Sequence, residues 1–244
     1  MPHKLKFFCD FDGTITKNDV WVNSLARFIQ DKEAFNLVCD DFASNFITAR
    51  ECINRELELV ENFSFDKFNS YLDKEELDDY FFEFMDYCKE KNYEIFLLSE
   101  GLDYYIDYIL SKYGIKLKRF CNNLITEKIN GKITLKAEFP FSDENCTYCG
   151  MSKRNILINN TNDLYGEISI LIGDGVSDFC ASNYADIVFA KGKLASYCWK
   201  NNITYFEYNN FNDILKKIQK LEAMKRIKVR QTASMLRRDV FLGG

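Results

Sequence analysis

Phe7-Phe8-Cys9-Asp10-Phe11-Asp12-Gly13-Thr14-Ile15-Thr16 sets two carboxylates two residues apart, directly after an apolar run and directly before a Gly-Thr turn. An apolar run of this size reads as a buried strand, and Asp-Gly-Thr ends it. Side chains at i and i+2 share a face of a strand. The pattern therefore predicts that Asp10 and Asp12 emerge close together at the carboxyl end, where open α/β sheets bind ligands. Two anions that close repel each other unless a cation or a shared proton lies between them. A metal site is the first expectation.

Two further apolar runs end in the same way. Glu94-Ile95-Phe96-Leu97-Leu98 runs into Ser99-Glu100-Gly101, and Ile168-Ser169-Ile170-Leu171-Ile172 into Gly173-Asp174-Gly175-Val176-Ser177-Asp178. Asp186 to Ala190 is a short fourth strand, and Thr204 to Tyr208 a fifth at an edge. Helical stretches separate them, including Leu77 to Lys91 and Asp103 to Tyr113, which argues for right-handed crossovers and a parallel sheet. Leu124 to Leu135, with Asn130-Gly131 at its centre, carries the signal of a β-hairpin closed by a type I′ turn.

Between the first strand and residue 77 no strand is evident. Val20, Leu25, Phe28 and Ile29 are spaced as one helical stripe, Phe42 and Phe46 as a second, and Cys52, Ile53, Leu57 and Val60 as a third. Ser64 reads as the N-cap of another short helix. The expected architecture is an α/β fold: a Rossmann-like parallel sheet sandwiched by helices, with an inserted helical cap and a β-hairpin. Residues 1–16 and 77–215 form the core, 17–76 the cap and 216–244 a basic extension. That extension holds nine Lys or Arg against Glu222 and Asp239, a net +7 that leaves −12 for the rest of a chain of formal charge −5. It reads as a solvated helix packed on the domain or as a disordered tail. It has too few aromatics and too little regular patterning to read as a dedicated nucleic-acid or membrane contact.

Composition narrows the chemistry. The only histidine, His3, sits beside the N-terminus, which removes a His-based triad and a His-rich zinc centre from any buried site. Carboxylates, Lys, hydroxyls or Cys remain. No segment reads as a signal peptide and no apolar run spans a bilayer. Nine scattered cysteines then read as reduced thiols of a cytoplasmic protein. Cys146 and Cys149 form a single Cys-x-x-Cys that is either a metal site, with Cys121 approaching in space, or two reduced thiols.

In a parallel sheet the three strand ends converge on one rim. Asp10, Asp12, Asp174 and Asp178 make it oxygen-rich and suited to Mg²⁺. Ser99 and the turn amides suit a phosphate. Lys153, in a polar stretch between the second and third of these strands, supplies positive charge, although Lys132 or Lys136 answers to similar spacing.

Asp10-Phe11-Asp12-Gly13-Thr14, Ser99, Lys153 and Gly173-Asp174-Gly175-Val176-Ser177-Asp178 resemble the four ordered motifs of the haloacid dehalogenase superfamily of phosphohydrolases. The helical insertion resembles the cap of its phosphoserine phosphatase-like branch. Cys146-Thr147-Tyr148-Cys149-Gly150-Met151-Ser152-Lys153 and Ser99-Glu100-Gly101-Leu102-Asp103-Tyr104-Tyr105 are similar to the methionine-salvage phosphatases of that branch. The resemblance, over residues 6 to 210, implies Asp10 as nucleophile and Asp12 as general acid and then base. It implies Mg²⁺ held by Asp10, the Asp12 main-chain carbonyl and Asp174. Ser99, the Glu100 amide and Lys153 would hold the phosphoryl group, Asp178 would hold Lys153 or the metal's waters, and Thr14 would orient the loop. Glu100 departs from the usual Gly, so its carboxylate turns to solvent or adds charge near the substrate. Ser152 stands where the narrower pattern often carries a third Cys.

The expected partner is a small phosphorylated metabolite, since a cap excludes folded protein substrates. A homodimer stays open, and membrane and nucleic acid are not expected. Rivals are a phosphotransferase to an acceptor other than water, a catalytically idle binding module and a thiol redox protein. Arg50, Glu51, Arg55 and Glu56 of the cap read as surface i,i+4 pairs or as substrate contacts.

Overall fold

The computed structural model describes residues 4–129 and 131–242. His3 and Asn130, the first residue of the expected hairpin turn, lie outside the described residues. Among those described, seven strands form one sheet: β1 (Lys4–Asp10), β2 (Glu94–Leu102), β3 (Lys118–Ile129), β4 (Lys132–Glu138), β5 (Glu167–Gly173), β6 (Ile187–Ala190) and β7 (Phe206–Glu207), in the order β4-β3-β2-β1-β5-β6-β7. All neighbours run parallel except the β3–β4 hairpin.

The central strands are buried on both faces, so successive side chains feed two separate cores. Leu5, Phe7 and Cys9 of β1, Leu97 of β2 and Ile170 and Ile172 of β5 enter one. Phe8, Phe96, Leu98 and Leu171 enter the other. The first core is covered by α5 (Phe81–Glu90), α6 (Asp103–Lys112) and α10 (Phe211–Glu222). The second is covered by α7 (Lys153–Asn159), α8 (Phe179–Ser182) and α9 (Gly192–Lys200). By the same alternation Asp10 follows Phe8 to the face under α7.

The order matters for function. β1 has β2 on one side and β5 on the other, so the chain winds away from β1 in both directions. The crevice at the carboxyl end of such a strand is the binding position of open α/β sheets. Pairing Asp10 with Leu98, and Cys9 with Ile172, puts Asp10, Ser99 and Gly173 at one level of the rim.

Several local expectations are corrected. β1 ends at Asp10, and Asp12 belongs to the turn Phe11–Ile15, where Gly13 has φ +71°. The two aspartates therefore do not share a strand face; the turn brings them to one cavity. The Val20–Ile29 stripe is broken into α1 (Val20–Asn23) and a 3₁₀ turn, Leu25–Phe28, because Ser24 bonds back to the Val20 carbonyl at 2.6 Å. Phe46 is 81% exposed and follows rather than joins α2 (Lys32–Ala43). Val60 lies beyond α3 (Ala49–Glu58), in a bridge to Ile29. Ser64 caps α4 (Phe65–Leu72) by accepting from the Lys67 amide at 3.3 Å. α5 begins at Phe81, not Leu77, and β2 continues past Ser99 to Leu102. The hairpin docks on α3, where Asn54 Oδ1 accepts from the Ala137 amide at 2.8 Å.

The basic stretch is divided between α10, whose apolar side is buried, and α11 (Gln231–Phe241). Arg237 of α11 is fully buried and paired with Asp163 and Asp186. No helix among the described residues is long and apolar enough to cross a membrane.

Candidate active site

A cavity of about 710 Å³ opens over the carboxyl end of β1. Its floor holds Asp10, Asp12, Glu100 and Asp174; Trp21, Ile53 and Glu56 of the helical insertion wall it, with Lys17, Lys191 and Lys193 around it. Of the four insertion residues noted above, Glu56 is the one that lines it. Arg55 pairs with Asp41 at 3.6 Å, and Glu51 accepts from the Thr48 amide.

One carboxylate oxygen each of Asp10, Asp174 and Asp178 lies within 4.8 Å of the others. Asp10 comes from the end of β1, and Asp174 and Asp178 from the turn after β5. Lys153, the first residue of α7, is 1% exposed and donates to Asp10 and to Asp178, the latter at 2.8 Å. Asp178 also accepts from the amides of Asp174 (3.1 Å) and Gly175 (3.2 Å), so it is fully engaged below the rim. Burial raises Asp10 to about 6 against the opposing pull of Lys153, with Asp174 adding to the rise. Burial likewise raises Asp178 to about 6 and lifts Asp174 above the ordinary carboxylate range. On Lys153 burial acts to lower the pKa, but the two aspartates outweigh it and hold the amine charged.

This all-oxygen donor set fits a hard divalent ion of the Mg²⁺ kind. Asp10 and Asp174 face the cavity; burial is the main cause of the rise in both, and a neighbouring carboxylate adds to each against the pull of Lys153.

Asp12 lies beside this group in a different setting. The Ser99 hydroxyl donates to it at 3.0 Å, the Tyr105 hydroxyl at 3.1 Å and the Val20 amide at 3.1 Å. Burial, and then the charges of Asp19 and Asp10, raise it to about 7. Ser99 is fully buried, and its oxygen accepts from the Gly101 amide at 2.9 Å. Ser99, Lys153, Asp178 and Thr14 thus stand behind the cavity wall rather than on it. Gly101 is required by close approach: a Cβ there would sit 1.6 Å from the Tyr105 hydroxyl.

Of the two placements expected for Glu100, the structure shows the one beside the site: it lines the cavity rather than turning away from it. It accepts from the Gly150 amide at 3.1 Å, and burial raises it to about 7. Thr14 donates toward Asp174 at 3.5 Å and meets the Tyr208 hydroxyl at 3.4 Å; Tyr208 also donates to the Gly173 carbonyl at 3.3 Å. The sequence reading missed Tyr105, Trp21, Tyr208 and the lysines at 191 and 193. Tyr105 alone left a trace, lying within the quoted stretch after Ser99.

Comparison with known proteins shows the family and the fold. The profile of the haloacid dehalogenase-like hydrolases matches residues 7–182. A protein of Bacillus cereus (strain G9842) named 2-hydroxy-3-keto-5-methylthiopentenyl-1-phosphate phosphatase is 30% identical over 227 residues, 91% of this chain and 99% of that protein. One of the same name from Bacillus thuringiensis subsp. konkukian (strain 97-27) is 29% identical over the same coverage. A solved structure described as a phospho-aspartyl intermediate analogue of phosphoserine phosphatase superposes with a TM-score of 0.65 at 19% identity, covering 89% of this chain and 99% of the other. The phosphoserine phosphatase of T. onnurineus in complex with NDSB-201 gives 0.62 at 16% identity, covering 89% and 95%. At those identities the two structures speak for the fold alone. The chain belongs to the haloacid dehalogenase-like hydrolases, and within them it is an enzyme that hydrolyses phosphoric monoesters.

Proposed function

We propose that the protein is a Mg²⁺-dependent phosphatase that hydrolyses a small phosphorylated metabolite through an aspartyl-phosphate on Asp10. The observation that carries this reading is the meeting of Asp10, Asp174 and Asp178 within 4.8 Å, from strand ends far apart in sequence, beside a buried Lys153. Asp10, the Asp12 carbonyl and Asp174 would hold Mg²⁺, which would supply the positive charge that lets a carboxylate approach a phosphate dianion.

Lys153 pins one Asp10 oxygen and leaves the other for attack on phosphorus, which fixes the direction of approach. Asp12, near neutrality in pKa, gives a proton to the departing alkoxide and then takes one from the attacking water. Tyr105 and the Val20 amide hold its orientation. Ser99 turns its hydroxyl from Asp12 to a phosphoryl oxygen as substrate enters, and the Glu100 amide is a second donor. Glu100 itself, protonated below about pH 7, keeps one negative charge out of the site. Thr14 steadies Asp174.

In this reading residues 17–76 are a cap over a core of 1–16 and 77–215, and 216–244 are a basic extension. Trp21, Ile53 and Glu56 then select the substrate. The phosphorylated hydroxyketone in the relatives' name is the first compound to assay. Nine free thiols suit a cytoplasmic setting. The test is turnover of p-nitrophenyl phosphate with and without Mg²⁺, in wild type and Asp10→Asn. A loss on the order of 10³-fold or more, at unchanged circular dichroism, is expected for the variant; retained turnover would remove Asp10 as nucleophile.

A further inference from the structure

A second cluster lies outside the cavity. The sulfurs of Cys146, Cys149 and Cys180 all lie within 4.8 Å of one another, with Cys149–Cys180 at 3.7 Å and Cys146–Cys180 at 3.9 Å. We propose that these three cysteines form a structural site for a thiophilic divalent cation, Zn²⁺, that fastens the loop before α7 to the turn carrying Asp178.

The spacing supports an ion rather than a cross-link. Thiolates about 2.3 Å from a tetrahedral zinc stand about 3.8 Å apart. A disulfide draws two sulfurs to about 2.0 Å and leaves the third unpaired. Thiols are weak donors and weak acceptors, so mutual S–H contacts give little reason for three of them to meet. The sulfurs come from distant places: Cys180 is 31 residues beyond Cys149, in the first turn of α8.

The surroundings suit the charge. Three thiolates around Zn²⁺ carry a net −1. Arg50 of α3 donates from one nitrogen to the carbonyls of Cys146 (3.1 Å), Cys149 (3.1 Å) and Asp143 (3.3 Å). Its guanidinium thereby shapes the loop and brings the balancing charge. Among the described residues no fourth His, Cys, Asp or Glu joins the cluster. Cys146 and Cys180 are half-buried, so the fourth vertex is open to water. On binding, each thiol releases its proton to solvent and no oxidant is involved.

Position gives the site its use. Cys149 lies four residues before Lys153, and Cys180 two after Asp178. A shared ion therefore braces the Lys153–Asp178 pair from behind. The site is independent of the phosphatase reading, and its test reads metal rather than turnover.

The full chain, purified without chelators, is expected to hold about one Zn²⁺ per molecule by elemental analysis. Co²⁺ in its place should give a thiolate-to-cobalt charge-transfer band. Cys146→Ser and Cys180→Ser should each weaken Zn²⁺ binding by more than the roughly 10–100-fold that loss of a supporting partner costs; Asp10→Asn should leave it at the wild-type value. In wild type, Zn²⁺ should slow alkylation of Cys146 and Cys180, read by mass spectrometry. Failure of the wild type to take up Zn²⁺, retention by Cys180→Ser, loss in Asp10→Asn, or alkylation indifferent to Zn²⁺ would each overturn the proposal.

Discussion

The carboxylates of Asp10, Asp174 and Asp178 and the sulfurs of Cys146, Cys149 and Cys180 meet within the same 4.8 Å, yet they are opposite in kind. The first cluster is oxygen, faces a cavity and is braced from beneath by a buried ammonium. The second is sulfur, lies beside a loop without regular structure, and has a guanidinium on its carbonyls. Asp178 and Cys180 sit two residues apart, so one turn of chain serves both. On the reading proposed above, hardness of the donors, not proximity, separates a site for chemistry on phosphate from a site for holding the chain in place.

The largest effect expected from this contrast is on activity. Asp174→Asn should lower kcat/KM by on the order of 10²–10³-fold at fixed Mg²⁺, with partial recovery as Mg²⁺ rises, while the Zn²⁺ content stays constant. Titration of phosphomonoester turnover against Mg²⁺, alongside elemental analysis, checks both halves. Loss of zinc in that variant would break the contrast, because the clusters would then share an ion.

Next in size is Lys153→Met. It leaves Asp10 and Asp178 buried without their cation and should cost about 3–5 kcal/mol in denaturant unfolding near neutral pH. An unaltered unfolding midpoint would mean that the ammonium is not the brace.

Glu100→Gln sharpens the picture between the two clusters, since Glu100 bonds to the Gly150 amide beside Cys149. Its folded pKa of about 7 lies above the ordinary 4.5. As pH rises past 4.5, the unfolded chain loses this proton first and the folded state keeps it. Stability is thus lost on going from about pH 4.5 to 7, and the loss is complete above it. Glu100→Gln should flatten that slope and gain on the order of 1–3 kcal/mol at pH 8, measured by urea unfolding across pH in metal-free buffer. An unchanged slope would show that Glu100 ionises freely.

Smallest is Tyr208→Phe, which removes the hydroxyl shared with Thr14 and the Gly173 carbonyl. A cost of about 0.5–1.5 kcal/mol in thermal or chemical unfolding is expected. Zinc content should not change.

The sheet was largely readable because its central strands are short apolar runs that lead into Asp-Phe-Asp-Gly, Ser-Glu-Gly and Gly-Asp-Gly, a pattern local to each strand, although β2 runs on through Ser-Glu-Gly to Leu102. The carboxylate rim followed from parallel order, which sends all three carboxyl ends to one side. Other features were hidden for equally definite reasons. Asp12 left the strand because Gly13 permits a positive φ. Cys180 could not be joined to Cys146 and Cys149, since nothing in a lone cysteine between Phe179 and Ala181 shows which loop will lie beside it; Cys121, the residue anticipated there, instead accepts from Arg119 at 3.0 Å. Tyr105 owes its place at Asp12 to the missing side chain of Gly101. Arg237 reads as one more surface cation in a basic stretch, and only the tertiary position of Asp163 and Asp186 makes it a core residue.

That last pairing bears on the order in which the molecule can assemble. The carboxylates that meet Arg237 are synthesised 51 and 74 residues earlier. Until the helix bearing the guanidinium emerges from the ribosome, Asp163 in the turn before β5 and Asp186 just before β6 lack this partner. The Arg237 ion pairs are therefore completed only late in synthesis, after Asp10, Asp12, Asp174 and Asp178 of the rim have all been made.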